Sequence, residues 1–249
     1  MKTARTHTAL AALALSLGFS ATAHAETVTL DTSRLPTVQG WTYAAYGDGA
    51  AVAEASIYSV SGGLLHQNSM GVGMTQSGGN WYEHAVTLAP SENWSMTLVG
   101  RLLSFESVTS PAYPFGFCFG ANDNIAVGFG SDNIQYVGRN GLASAPLPSG
   151  FDSSVFNRYE LNVVGGLQSF TINGVAVFTD QLLPGGNPSA ILFGDGTGYA
   201  NSRADIQSFT FTSGVPEPGS WAMCLAGFGL MALALQRQRV APRGRRCTA

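Results

Sequence analysis

Between Glu26 and Gly214 the chain contains no lysine, and its cations are five arginines: Arg34, Arg101, Arg139, Arg158 and Arg203. Against these stand fourteen of the fifteen acids, a net charge of −9 where the whole chain carries −3. Such a surface repels nucleic acid and anionic lipid, so neither is expected as a partner. It also repels strongly anionic polysaccharide unless cations bridge the two. Cysteine is equally scarce. Cys118 is the only one in this stretch, which excludes an internal disulfide, and its setting in Phe117-Cys118-Phe119 reads as a small buried hydrophobe. Histidine is limited to His66 and His84 there, with no His-x-x-x-His and no cysteine pair, so a zinc site is not expected. Sustained apolar spacing at helical period is missing as well, which excludes a helical domain.

The two ends of the chain are different in kind. Met1–Ala25 has a basic start (Lys2, Arg5), an apolar run over Ala9–Phe19, and the small-x-small cleavage site Ala23-His24-Ala25 before Glu26, the pattern of a secretory signal peptide. At the other end Val215-Pro216-Glu217-Pro218 is expected to be extended and solvated, because each proline fixes φ and removes a donor. Trp221–Leu235 then runs without a charge and is followed by Arg237, Arg239, Arg243, Arg245 and Arg246. Residues 220–235 as a helix would span about 24 Å, short against a hydrocarbon core of roughly 30 Å, with Arg237 and Arg239 able to snorkel. The arginines place the tail in the cytoplasm and the preceding domain outside.

This order of Pro-Glu-Pro, apolar span and arginine cluster resembles the PEP-CTERM sorting signal of exopolysaccharide-producing Gram-negative bacteria, although here the chain runs on to Cys247-Thr248-Ala249. The resemblance implies transient anchoring in the inner membrane and recognition by an exosortase, a membrane cysteine protease. Cleavage near the triad would deliver the ectodomain to the cell surface or extracellular matrix.

Residues 26–214 read as one domain of short strands separated by Gly, Ser, Asn and Pro. Thr27–Leu30, Ala53–Val60, Trp81–Leu88, Trp94–Phe105 (interrupted at Gly100), Phe115–Phe119, Ile125–Phe129, Phe156–Val164 and Ala204–Phe211 are the main candidates. Gly141–Gly150 reads as a loop. The strongest local signal is Phe170-Thr171-Ile172, Asn173-Gly174, Val175-Ala176-Val177-Phe178, a hairpin closed by a type I′ turn. About a dozen strands without helices indicate an all-β fold, an antiparallel two-sheet jelly-roll sandwich. Leu64-Leu65-His66-Gln67, Tyr159–Val163, Phe170–Gly174 and Ala204–Phe209, in that order, resemble a concanavalin A-like lectin/glucanase (LamG-like) domain. The resemblance implies that the first strand closes beside the last, that a later strand pairs with the Asn-Gly hairpin, and that the Ala-Asp-Ile strand returns to the sheet.

Retaining glucanases of that superfamily need carboxylates at alternate positions of one strand. No Glu-x-Asp-x-x-Glu string is present, and Glu83, Glu92 and Glu106 fall on separate segments. Ser61-Gly62-Gly63 and Ser77-Gly78-Gly79 read as turns rather than nucleophile elbows, because no helix follows. Gly194–Gly198 lacks the lysine and helix of a phosphate loop. Asn122, Asp123 and Asn124, or Asp195 with backbone carbonyls, offer oxygen ligands suited to calcium, or are ordinary turn residues. Trp41, Trp81, Tyr82, Trp94 and Tyr199 are candidate sugar-stacking rings, at least two of which should be core. Trp81 or Tyr82 with Asp195 is the expected sugar contact. The function read from these features is an exported, non-enzymatic surface or matrix protein that binds carbohydrate or exopolysaccharide. The alternatives are a glycan-cleaving enzyme with an unrecognised site and a purely structural matrix or adhesion protein.

Replacing Pro216-Glu217-Pro218 by alanines should leave the protein membrane-bound and uncleaved; processing unchanged on a blot of membrane and surface fractions would refute exosortase recognition. Structural calcium predicts a melting temperature lowered by EDTA, and an identical melt removes it.

Overall fold

In the computed structural model, the structure describes residues 25–47, 52–72, 78–88, 93–107, 116–121, 125–129, 133–181, 189–196 and 200–214. The strands are β1 (Thr27–Thr29), β2 (Thr42–Gly47), β3 (Tyr58–Ser61), β4 (Leu64–Asn68), β5 (Gly78–Ala85), β6 (Trp94–Ser107), β7 (Phe117–Ala121), β8 (Ile125–Phe129), β9 (Asn133–Gly138), β10 (Gly141–Pro146), β11 (Asn157–Val164), β12 (Leu167–Ile172), β13 (Val175–Gln181), β14 (Ala190–Asp195) and β15 (Ala200–Ser213). They form two antiparallel sheets. The first has the order β13-β12-β11-β6-β15-β4-β3, with β1 also on β15, and the second has the order β10-β9-β8-β7-β14-β5-β2. This is the two-sheet sandwich that the strand pattern predicts. β1 closes on the last strand through Thr27↔Thr212, β11 pairs with β12 of the Asn-Gly hairpin, and Ala204-Asp205-Ile206 lies inside the first sheet.

The sheets form because their strands alternate. In β11, Asn157, Tyr159, Leu161 and Val163 are buried, whereas Arg158, Glu160 and Asn162 point outward. Each large apolar side chain so buried contributes about 1.5–3 kcal/mol. Between the sheets Phe129 packs edge-on against Tyr159 with centroids 4.7 Å apart, and Trp41 meets Phe193 and Phe209 at 5.1 and 5.5 Å. The Asn173-Gly174 turn has φ of 52° and 78°, the two positive values that a type I′ turn requires. Asn173 also holds the neighbouring strand, since its Oδ1 accepts the Arg158 amide at 2.9 Å.

Three local expectations change. Ala53–Val60 is not one strand: Glu54–Ile57 makes a single helical turn before β3. The Glu54 carboxylate ties that turn to the sandwich by accepting from Thr37 at 3.0 Å and Tyr82 at 2.8 Å. Residues 141–146 are a strand, β10, rather than part of a loop, and pair with β9 from Gly141↔Gly138 to Pro146↔Asn133. Its Ala- and Ser-rich composition hides it, and its place at the sheet edge tolerates Pro146. Gly100 does not interrupt β6. A Cβ there would meet Leu98 Cδ2 at 2.9 Å and the Asp205 carbonyl at 3.0 Å, so glycine permits the close approach of β15.

On the outer side of the first sheet an ion cluster crosses three strands. Asp205 of β15 accepts from Arg101 Nε of β6 at 2.8 Å and lies 2.6 Å from His66 Nδ1 of β4. Burial alone would raise the Asp205 pKa, but the bonds from His66 and Arg101 outweigh it and hold the carboxyl below its usual range. A folded-state pKa below the unfolded one makes stability greatest above the unfolded value, near 3.9, and removes it as pH falls through the folded value. Asp205→Asn should therefore flatten the acid limb of the stability curve, measured as melting temperature between pH 7 and pH 3. An unchanged acid limb in the variant would show that the cluster does not set it.

Candidate functional site

The outer face of the second sheet carries the most unusual chemistry in the sandwich. Strand alternation sends Ile134 and Tyr136 inward and Gln135 outward on β9. On β5 it sends Tyr82 inward and Trp81 and Glu83 outward. One cross-strand row then runs Gln135–Gly128–Cys118–Gly194–Trp81, each residue registered opposite the next. The middle of the row is therefore small side chains or none. Gly194 has φ of 136°, and a Cβ on it would meet the Tyr58 hydroxyl and the Trp81 backbone, so only glycine fits. Gly196, just beyond β14, lies against Cys118 Sγ so closely that any side chain there would collide.

Both ends of this row are polar. At one end the Trp81 indole N–H donates to Glu83 Oε1 at 2.6 Å, and Trp81 with Cys118 and Leu192 forms a small apolar cluster apart from the main core. At the other end Gln135 is 6% exposed, and its Oε1 is buried with no hydrogen-bond partner among the described residues, as is Oδ1 of Asn133 two residues earlier on the same strand. A buried amide oxygen left this way costs about 1–3 kcal/mol. Across the four strand steps from Gln135 to Trp81, at about 4.8 Å each, the row is about 19 Å long.

Of the three expected sugar contacts, Trp81 alone lies on this face, and it is 9% exposed. Tyr82 is fully buried in the core, 4.5 Å from the Tyr58 ring, and its hydroxyl bonds Glu54. Neighbouring strand residues point to opposite faces, so Trp81 and Tyr82 cannot share one surface. Asp195 is 1% exposed and faces inward with Tyr82 rather than lining a loop. Burial, and after it the charges of Glu54 and Asp195, push the Tyr43 hydroxyl up to about 12, and burial likewise drives Tyr58 and Tyr82 upward. These three tyrosines are neutral structural donors. Tyr43 donates to Asn80 Oδ1 at 2.8 Å and Tyr58 to the Asn80 carbonyl at 2.7 Å. Sequence reasoning missed Gln135, though a signal exists: a lone amide between the apolar Ile134 and Tyr136 in a strand.

Among the described residues no group of three or more His, Cys, Asp or Glu is placed to hold a metal ion. Asn122, Asp123 and Asn124 lie outside the described residues, as do Ala23, the Val215–Pro218 motif, the span 220–235 and the five C-terminal arginines. Ala25 opens the described chain. No helix among the described residues is long and apolar enough to cross a membrane.

The ends of the sandwich meet. The Ser213 amide donates to the Glu26 carbonyl at 2.9 Å, and the Glu26 amide lies 3.3 Å from Ser213 Oγ. Gly214 then turns the chain out of β15 with φ of 67°. From that residue, 214–239 match the family of the PEP-CTERM protein-sorting motif. The chain carries a PEP-CTERM sorting signal. The signal indicates export and exosortase-dependent sorting to the cell surface or matrix. No curated relative matches this chain. Among solved structures it is similar to a protein of unknown function from Shewanella oneidensis MR-1, with 10% identity and a TM-score of 0.51, covering 76% of this chain and 86% of that one. Lower scores are given by peanut lectin (11%, 0.48, 76% and 97%) and a β-1,3-1,4-glucanase derived from a mouse hindgut metagenome (15%, 0.48, 74% and 98%). At such identities the likeness is one of fold alone.

Proposed function

We propose that this PEP-CTERM protein is anchored briefly in the inner membrane, processed by an exosortase, and displayed as a carbohydrate-binding surface or matrix protein. In this reading the outer face of the second sheet holds a glycan chain without cutting its glycosidic bonds. The observation that carries the reading is the amide of Gln135, whose oxygen lacks a donor among the described residues and meets a glycan hydroxyl once the side chain turns outward, on the same row as Trp81 and next to Glu83. A sugar hydroxyl is both donor and acceptor, and suits an amide oxygen that lacks a donor. The apolar face of a sugar ring suits an indole edge. Glu83 is the one carboxylate that the described strands place on this face, whereas glycosidic cleavage by the usual route takes two. The excess of acids in the ectodomain favours neutral glycans, or anionic ones bridged by cations.

Gln135→Met separates binding from folding. Removing an unsatisfied buried amide should leave the melting temperature unchanged or raise it, by about 1 kcal/mol or less in stability, while glycan-array or polysaccharide pull-down binding falls. Binding retained at wild-type strength would overturn this placement of the site, and release of oligosaccharide from any bound polysaccharide would overturn the non-cleaving role.

A further inference from the structure

The opposite face of the sandwich holds a second constellation. Ser61 ends β3 and His66 lies on β4, joined to it by the two-residue turn Gly62-Gly63. Both glycines have positive φ, 59° and 77°, which fixes a tight hairpin in which Ser61 pairs with Leu64. The Thr32 hydroxyl locks the turn from outside, within 2.7 Å of the Gly63 carbonyl and 3.1 Å of the Gln207 carbonyl. Ser61 Oγ lies 2.8 Å from His66 Nε2, and His66 Nδ1 lies 2.6 Å from Asp205 Oδ1.

The protonation pattern follows from Asp205. Its carboxyl is 5% exposed and holds Arg101 through its other oxygen at 2.7 Å. The lowered pKa keeps it ionised at neutral pH. An ionised carboxylate only accepts, so Nδ1 of His66 carries a proton, and in the neutral form of the ring Nε2 is the acceptor. Ser61 is then the donor to Nε2. This is the order of a nucleophilic hydroxyl, a general base and an orienting carboxylate, a set defined by geometry rather than by sequence position.

We infer that Ser61, His66 and Asp205 form a hydrolytic site for carboxylic esters with a small acyl group. Ser61 Oγ attacks the ester carbonyl as His66 Nε2 takes its proton. The carbonyl–alkoxy bond then breaks, and the alcohol leaves with the proton returned by His66. Water, deprotonated by His66, attacks the acyl-serine, and the carboxylic acid departs as Ser61 is restored. The turn leaves the amides of Gly62 and Gly63 outside the strand ladder, beside Ser61 in the chain, as donors for the oxyanion. Asp205 is a positioning residue, which fixes the tautomer and faces the imidazolium formed in each step. Ser61 is exposed, and among the described residues nothing encloses a long acyl chain or restricts the size of the alcohol portion. An acetyl-type ester on a bulky alcohol fits. This activity is independent of glycan binding on the other sheet.

The test uses the purified full-length chain with p-nitrophenyl acetate and a fluorophosphonate probe. Expected are turnover above buffer, a single label on the Ser61 peptide by mass spectrometry, and loss of both by about 100-fold or more in Ser61→Ala and His66→Gln. Ser59→Ala, on the same exposed strand face, should keep wild-type activity and labelling. All four proteins are checked for equal melting temperature. Because Ser61→Ala removes one exposed hydroxyl, it should fold. Equal turnover in wild type and Ser61→Ala, or labelling shared among serines, would overturn the assignment.

Discussion

The pairing of β15 with β6 is the constraint on which the rest of the sandwich depends. It runs from Ala200↔Ser107 to Ser213↔Trp94, and the other edge of β15 is shared by β4 and β1. Without β15 the first sheet would fall into three pieces, β13-β12-β11-β6, β4-β3 and a lone β1. The same strand supplies Ala204, Ile206, Phe209 and Phe211 to the core and Asp205 to the outer face. Its partners lie as far back as Thr27. Loop closure of that length must precede the contacts that reward it, so the fold completes late. The sorting motif begins one residue after the strand ends, and the tail thus follows the segment that closes the domain.

From this frame the two outer faces acquire opposite characters. On the second sheet the residues registered opposite one another between Gln135 and Trp81 are glycine, cysteine and glycine. Small residues there let neighbouring backbone approach, as Gly196 does over Cys118. On the first sheet the outward positions include Arg101, Arg158, Glu160 and Asp205, and Ser61 Oγ and Asp205 Oδ1 lie on the two nitrogens of the His66 ring. The row that can pair with hydroxyl groups and the row that can move a proton are therefore kept apart by a core of aromatic rings, including the Phe193–Phe209 contact at 5.2 Å.

Local chemistry made part of this legible in advance. Asn173-Gly174 specifies its own turn because few other pairs accept two positive φ values, and Pro216-Glu217-Pro218 with its apolar run and arginines is meaningful as a linear string. What escaped depends on register. β10 has the composition of a loop and becomes a strand only because β9 offers it an edge. Trp81 and Tyr82 both look like sugar contacts until period-two alternation assigns one of them to the core. His66 and Asp205 are 139 residues apart, and no local pattern brings Nδ1 within 2.6 Å of the carboxylate. Ser61-Gly62-Gly63 reads correctly as a turn, yet that turn is what carries a serine hydroxyl back to a histidine five residues later.

The position of the tether bears on both faces. The chain enters at Glu26 and leaves at Gly214, side by side at the end of the sheet where Ser213 faces Trp94. Asp205 lies eight residues up the same strand, about 26 Å away at 3.3 Å per residue. The Ser61–His66–Asp205 cluster therefore lies away from the end of the domain at which the sorting motif begins. Because both ends are bonded into one strand pair, the tether pulls on β1 and β15 together and loads hydrogen bonds deep in the sheet instead of peeling an edge strand. The same last strand that closes the fold thus also fixes how the domain is presented.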